Sequence, residues 1–298
     1  MSNISLKNNN MGLNAILETV NSLSSGKEEQ EKSIEIIENG TTEITPDDGK
    51  TLSKVSITTN VEGVGGNIAE ERSKWINRSW TEFSDNEVNK VGNAAFANCT
   101  SLTSVNLPKC TLVGYSAFQN CSSLASIDLP MCSDVGTYTF SGCTSLTSIN
   151  SPMLNRVGGY AFVSCVSLAS VNLPVCKNIL NGAFSGCTSL SLIDLPMCSD
   201  IGAYAFSNCI SLTLVNLPVC NYINTSAFYG CISLTSFTLG YSSVAKLNNV
   251  NAFILTPMSV STLTGSFGSI YVPASLVDAY KSATNWVAYA DRITAIVE

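Results

Sequence analysis

The chain has 298 residues, 45 % of them hydrophobic, a formal net charge of −7 and no histidine. Without histidine it lacks the usual general base, the commonest metal ligand, and any Ser-His or Cys-His nucleophile pair. Residues 1–90 hold 15 acids and 9 bases, whereas 91–240 hold only Lys109, Asp128, Asp134, Arg156, Lys177, Asp194 and Asp200. No cluster of Lys and Arg exists to displace counterions, so a nucleic-acid partner is not expected. No run of about twenty apolar residues occurs, so no membrane span is expected either. Met1 to Asn10 has one lysine and no apolar stretch, which argues against a secretory leader there.

Residues 1–32 read as a helix and a linker. In 11–23, Leu13, Ile16, Leu17, Val20 and Leu23 form one helical stripe, which either packs on its own neighbour or pairs with a second copy as a homo-oligomer contact. Residues 33–67 read as a small β module. Two alternating runs flank Asn39-Gly40, the strongest short hairpin signal, and Asp47-Asp48-Gly49 turns the chain into a third strand over Leu52 to Val61. Residues 68–90, with Trp75, Ile76, Trp80, Phe83 and Val88 among charged residues, suit a cap over the first open layer of a repeat array.

From Val91 a 22-residue period takes over. Phe96, Phe118, Phe140, Phe162, Phe184, Phe206 and Phe228 recur in one register, each followed three positions later by Cys99, Cys121, Cys143, Cys165, Cys187, Cys209 or Cys231. Ser-Leu follows at a fixed offset, then a short β-prone run, then Pro108, Pro130, Pro152, Pro174, Pro196 or Pro218. Such self-similarity means a solenoid, not an enzyme core. Seven repeats fill 91–244. Residues 245–298 hold a stretched eighth, restarting at Val250-Asn-Ala-Phe253 with its strand at Ile270-Tyr-Val-Pro273, and a C-terminal helical cap using Leu276, Val277, Tyr280 and Trp286.

In each turn a short strand joins a parallel sheet, so alternation sends Val105 and Leu107 into the core and Ser104 and Asn106 outward. The prolines end the strands, and Gly92, Gly114, Gly136, Gly158 and Gly202 suit a bend with no room for a side chain. A second cysteine series, Cys110, Cys132, Cys176, Cys198 and Cys220, completes all twelve. Neighbouring turns would place cysteines within bridging distance, but regular packing slots favour buried free thiols over disulfides. No Cys-x-x-Cys pair is present to start a metal site.

The unit V-G-x-x-A-F-x-x-C-x-S-L-x-x-V-N-L-P-x-C contains Leu102-x-x-Val105-x-Leu107-x-x-Cys110 and resembles the BspA-like leucine-rich-repeat family over residues 78–298. The ending IYVPASLVDAYKSATNW at 270–286 resembles the C-terminal cap of gut-bacterial members. The resemblance implies a mainly β, right-handed coil with a parallel concave sheet, capped at both ends. It also implies an extracellular or surface-displayed binding solenoid, with no catalytic residues and no cofactor. IENGTTEITPDDGKTLSKVSITTNV at 37–61 resembles a short β module of phage and prophage structural proteins from Gram-positive gut bacteria, which would release the protein by lysis.

Two outward rows are the candidate ligand-binding face: Ser104, Ser126, Ser148, Ser170, Leu192, Leu214 and Ser236 beside Asn106, Asp128, Asn150, Asn172, Asp194, Asn216 and Thr238. Their neutral donors and acceptors suit a protein or glycan ligand; equally, a strand face stays polar for solubility alone. Asp128 and Asp194 lie three repeats apart, too far to share acid–base work. Asp134 and Asp200 read as solvating turns. Tyr115, Tyr138, Tyr160 and Tyr204, close before the phenylalanines, read as shielding for the convex side or as an aromatic strip. The expectation is a non-enzymatic recognition or structural protein of a virion or bacterial surface; the alternative is a cytoplasmic interaction scaffold.

Overall fold

The computed structural model describes the strands Ile4–Ser5, Ser33–Ile36 and Lys54–Ile57 together with residues 81–85, 88–240, 243–248, 250–253 and 268–296. From Lys90 onward the chain coils as a parallel β-solenoid. Each turn of the array adds a rung of three or four residues to a strand face and a two-residue rung to a second sheet. The strand face comprises Glu82–Asp85, Ser104–Asn106, Ser126–Asp128, Ser148–Asn150, Ser170–Asn172, Leu192–Asp194, Leu214–Leu217, Ser236–Leu239, Ser269–Val272 and Ile293–Ala295. Pairing is in register every 22 residues, as in Ser148↔Ser170 and Ile149↔Val171. The backbone ladder is interrupted once along the array, between Ser170–Asn172 and Leu192–Asp194, which fall in separate hydrogen-bonded sheets.

The second sheet was not foreseen. Its rungs run from Lys90–Val91 through Leu112–Val113, Asp134–Val135 and Arg156–Val157 to Lys246–Leu247, and it stays continuous where the strand face breaks. Each rung buries its second residue, Val91, Val113, Val135, Val157, Ile179, Ile201, Ile223 or Leu247, and shows its first to solvent. Asp134 and Asp200 therefore sit on strands instead of merely solvating turns.

The turn bearing phenylalanine forms a third ladder. Residues two before and two after each phenylalanine have positive φ, among them Tyr138 at 56° and Gly142 at 73°. A left-handed residue reverses the direction of its peptide N–H, so Tyr138, Phe140 and Gly142 all donate forward, to Gly159 O, Ala161 O and Val163 O at 3.0, 2.7 and 2.9 Å. The intervening N–H groups close locally, Ser141 onto Tyr138 O and Cys143 onto Phe140 O. Asn98, Asn120, Gly142, Gly186, Asn208 and Gly230 hold the later left-handed site, residue types that tolerate it, and Ser164 holds it in one turn. Tyr138, Tyr160 and Tyr204 hold the earlier one, where a bulky side chain costs about 1–2 kcal/mol each.

The phenylalanines form one buried column. Consecutive rings from Phe96 to Phe228 lie 5.0–5.4 Å apart and within 14° of parallel, and Phe253 continues the column 5.6 Å beyond Phe228. Phe83 closes the first end, tilted on Phe96 at 4.8 Å. At the other end Trp286 and Tyr289 pack on Phe253.

The C-terminal cap also satisfies backbone. Tyr280 sits in the helix Val277–Ser282 and its hydroxyl accepts the Ala245 N–H at 2.9 Å. Trp286 Nε1 donates to Ala245 O at 2.6 Å, and Asn285 Nδ2 to Leu247 O at 2.8 Å. These side chains bond the last rung of the second sheet among the described residues, which blunts its edge. A final strand, Ile293–Ala295, pairs parallel with Ser269–Val272 and was not anticipated.

The described strands of the N-terminal region depart from the hairpin reading. Ser33–Ile36 pairs parallel with Lys54–Ile57, and Lys54–Ile57 pairs parallel with Glu82–Asp85, so both extend the strand face. A hairpin signal is local, whereas pairing follows whichever edge is open, and here Glu82–Asp85 offers one. The helix of 11–23 and the Asn39-Gly40 turn lie outside the described residues, as do Trp75, Ile76 and Trp80.

The glycine bend is as tight as its spacing predicts. A Cβ on Gly158 would come within 2.5 Å of Gly136 C and O and 2.6 Å of Val135 O. These are backbone atoms of the preceding rung and cannot swing aside. Gly158→Ala is therefore expected to destabilise the array by about 2 kcal/mol, read as a lowered urea midpoint. An unchanged midpoint would show that the bend yields freely.

Candidate functional site

The outward rows are where alternation places them. On the strand face Val105, Ile127, Ile149, Ile193, Val215 and Phe237 are buried, while Ser126, Asp128, Ser148, Asn150, Ser170, Asn172 and Asp194 are exposed. Ser104, Asn216, Ser236 and Thr238 are half-exposed. In-register pairing puts Asn106 beside Asp128, Asn150 beside Asn172, and Asp194 beside Asn216. Side-chain bonds join two pairs of neighbouring turns: Asn172 Nδ2 donates to Asn150 Oδ1 at 2.8 Å, and Asn216 Nδ2 to the Asp194 carboxylate Oδ1 at 2.9 Å. Leu192 and Leu214 interrupt the serine row beyond the break in the strand ladder and stay exposed. The face thus has two chemistries, hydroxyl and amide before the break and partly aliphatic after it.

The second sheet presents a charged row that sequence reading dispersed into turns. One Arg156 Nη2 donates to both carboxylate oxygens of Asp134, at 2.9 and 2.8 Å. Asp200 accepts from Asn178 Nδ2 at 3.3 Å and from the Ser199 hydroxyl. Lys246 lies over the Tyr222 ring, 5.4 Å from its centroid. These contacts tie neighbouring turns together. A pair this exposed adds at most about 1 kcal/mol.

Tyr115, Tyr160 and Tyr204 remain substantially exposed above a phenylalanine column that is already sealed. Tyr138 stacks on Tyr160 at 5.2 Å, and Tyr160 leans over the bare backbone of Gly182. A further exposed row, Met131, Met153, Val175, Met197 and Val219, was missed. Its signal is in the sequence, at the variable position after each unit's proline, which precedes a cysteine except at Met153, where Leu154 follows.

All twelve cysteines are buried and free. Six thiols of the first series reach back one turn to a phenylalanine carbonyl, from Cys121 on Phe96 O at 3.0 Å to Cys231 on Phe206 O at 3.0 Å. The second series bonds two residues ahead, as Cys132 does to Asp134 O at 3.3 Å, steering the chain into the second sheet. Burial pushes Cys110 and Cys176 up to about 11 and Cys132, Cys165 and Cys220 up to about 12. Such thiols are poor nucleophiles and poor metal ligands. Among the described residues no three His, Cys, Asp or Glu side chains group as a metal site. No helix there is long and apolar enough to cross a membrane.

The Treponema pallidum leucine-rich-repeat protein is 27 % identical, with 60 % of this chain and 77 % of that one covered and a TM-score of 0.44. The pneumococcal vaccine antigen PcpA is 12 % identical over 90 % of this chain and 85 % of its own, at a TM-score of 0.45. A leucine-rich-repeat protein from Eubacterium ventriosum is 19 % identical over 75 % of this chain and 58 % of its own, at 0.42. No curated protein matches the chain. The BspA type Leucine rich repeat region matches in six copies over residues 75–191 and 155–272, and the phenylalanine column, the cysteine slots and the strand face from Glu82 to Val272 fall within those bounds, so the chain belongs to the BspA-type leucine-rich-repeat family.

Proposed function

We propose that this protein is a non-enzymatic recognition module whose strand face binds a protein or glycan. The observation that carries this reading is the amide and hydroxyl ladder, exposed and in register over consecutive turns while the reactive sulfurs are withdrawn into the core. An array of amides and hydroxyls with two carboxylates, Asp128 and Asp194, and no cation is matched by hydroxyl-rich or backbone-rich ligands, not by phosphate. A surface-displayed or virion setting accords with the family resemblance. The virion part rests on residues 37–61 alone, which the family match, beginning at residue 75, does not reach.

The full chain on glycan and protein arrays tests the reading. Ser148→Arg with Ser170→Arg places two bulky like charges on neighbouring rungs of the face. Binding to any ligand found should fall at least about tenfold, roughly the 1.4 kcal/mol that a clash on a contact surface readily costs, with the melting temperature unchanged. Ligand affinity that ignores both substitutions would remove the strand face from the function.

A further inference from the structure

From Pro130 on, the corner after the strand-ending proline carries a row of apolar side chains on five consecutive turns. Met131, Met153 and Met197 are 51, 53 and 49 % exposed, with Val175 and Val219 in the same slot at 40 and 42 %. Directly beneath lies the second cysteine series, with Leu154 in its place under Met153. Cys132 and Cys198 follow Met131 and Met197 in the chain yet show no surface, and their thiols donate inward to Asp134 O and Asp200 O at 3.3 and 3.5 Å. Two sulfur ladders thus run side by side, one outside the wall and one within it.

Their chemistries separate cleanly. A thioether is attacked at its neutral lone pair and needs only access, whereas a thiol must be both reachable and ionised. We propose that Met131, Met153 and Met197 form a reversible oxidation site for hydroperoxides, whose conversion to sulfoxides turns this corner row from apolar to polar while the thiol core stays reduced and folded. Each step balances with one peroxide. The sulfur lone pair forms the S–O bond, the O–O bond breaks, and the sulfur gives up two electrons. The remaining oxygen leaves as alcohol, or as water when the oxidant is hydrogen peroxide. Because the side chains already face solvent, a sulfoxide oxygen there is hydrated at once and displaces no core contact. This inference does not depend on the strand face being a binding site.

The full-length folded protein, titrated with hydrogen peroxide at pH 6 and pH 8 and mapped by peptide mass spectrometry, decides it. The peptides distinguish these three residues from Met1, Met11 and Met258. One oxygen should appear on each of Met131, Met153 and Met197, at rates that agree within about twofold at the two pH values, as expected for a group that does not ionise. Thiol titration in denaturant should still find all twelve cysteines, and the melting temperature should hold. Retention on a hydrophobic column should fall, return after methionine sulfoxide reductases A and B, and fall less in a M131L/M153L/M197L variant. Loss of thiols before or alongside the methionines would overturn the proposal. So would a rate rising tens of times from pH 6 to pH 8, as thiolate chemistry requires, a falling melting temperature, or three unreacted methionines.

Discussion

Raising the pH from 7 to 10 is expected to unfold the array without any added denaturant. The cause is the cysteine ladder. Burial holds the thiols neutral, up to about 11 at Cys110 and Cys176 and about 12 at Cys132, Cys165 and Cys220, and well above the ordinary range at Cys143, Cys187 and Cys209. In the unfolded chain the same groups ionise near 8.5. Above that pH the unfolded state has released protons that the folded state retains, so stability falls as pH rises. It is fully present below about 8.5 and drains away between there and the folded values. At pH 10 each such thiol contributes about 2 kcal/mol of linkage in favour of unfolding. A handful therefore matches the whole 5–15 kcal/mol that usually separates folded from unfolded. Tyr289, pushed by burial to about 12, acts in the same sense.

Far-UV circular dichroism and thiol reactivity followed together from pH 7 to 10.5 should lose the sheet signal and expose the thiols in one step. Cys→Ser at Cys165 keeps a donor for Phe140 O, which the thiol now meets at 3.1 Å, while removing the titration. It should reduce the slope of stability against pH by about 1.4 kcal/mol per unit above pH 9. A sheet signal that survives pH 10 with silent thiols would mean that the unfolded state is reached by no route the protons can drive.

Phe162→Ala is expected to lower stability by about 3–5 kcal/mol. Phe162 is fully buried and faces Phe140 and Phe184, both at 5.1 Å and nearly parallel. Removal leaves a ring-sized void that neither neighbour can enter, because each is held by its own turn's hydrogen bonds to the next rung. In a quasi-one-dimensional array every turn leans only on its neighbours, so an interior void weakens two interfaces at once. Phe162→Leu fills much of the space but loses both ring faces, and should cost roughly half as much. Urea denaturation of the three proteins gives the order; a loss below about 1 kcal/mol for the alanine variant would show that the column closes over the gap.

Much of this was legible because it is periodic. Phe96 to Phe228, the cysteine slots and the buried alternation at Val105 and Leu107 all follow from one rule: identical turns stacked in register must put identical residues in identical places. The outward placement of Ser148 and Asn150 follows in the same way. The second sheet was not legible, since two-residue rungs such as Asp134–Val135 are too short to show an alternation. The left-handed tyrosines were hidden for a related reason. Tyr138 and Tyr160 override the preference for Asn or Gly because the forward-pointing N–H groups of a whole ladder outweigh one strained residue.

From its sequence alone this protein is determined to be a stacked β-solenoid of 22-residue turns with a sealed phenylalanine and cysteine core, because core size and turn chemistry are local and repeat. Only the tertiary structure decided what lies between turns. It joined Ser33–Ile36 and Lys54–Ile57 in parallel to the strand face, and it broke that face between Asn172 and Leu192 while keeping the second sheet whole. It also set Arg156 on Asp134. Those are relations across 20 residues or more, fixed by which edges and faces meet once the coil has closed, and no window of sequence contains them.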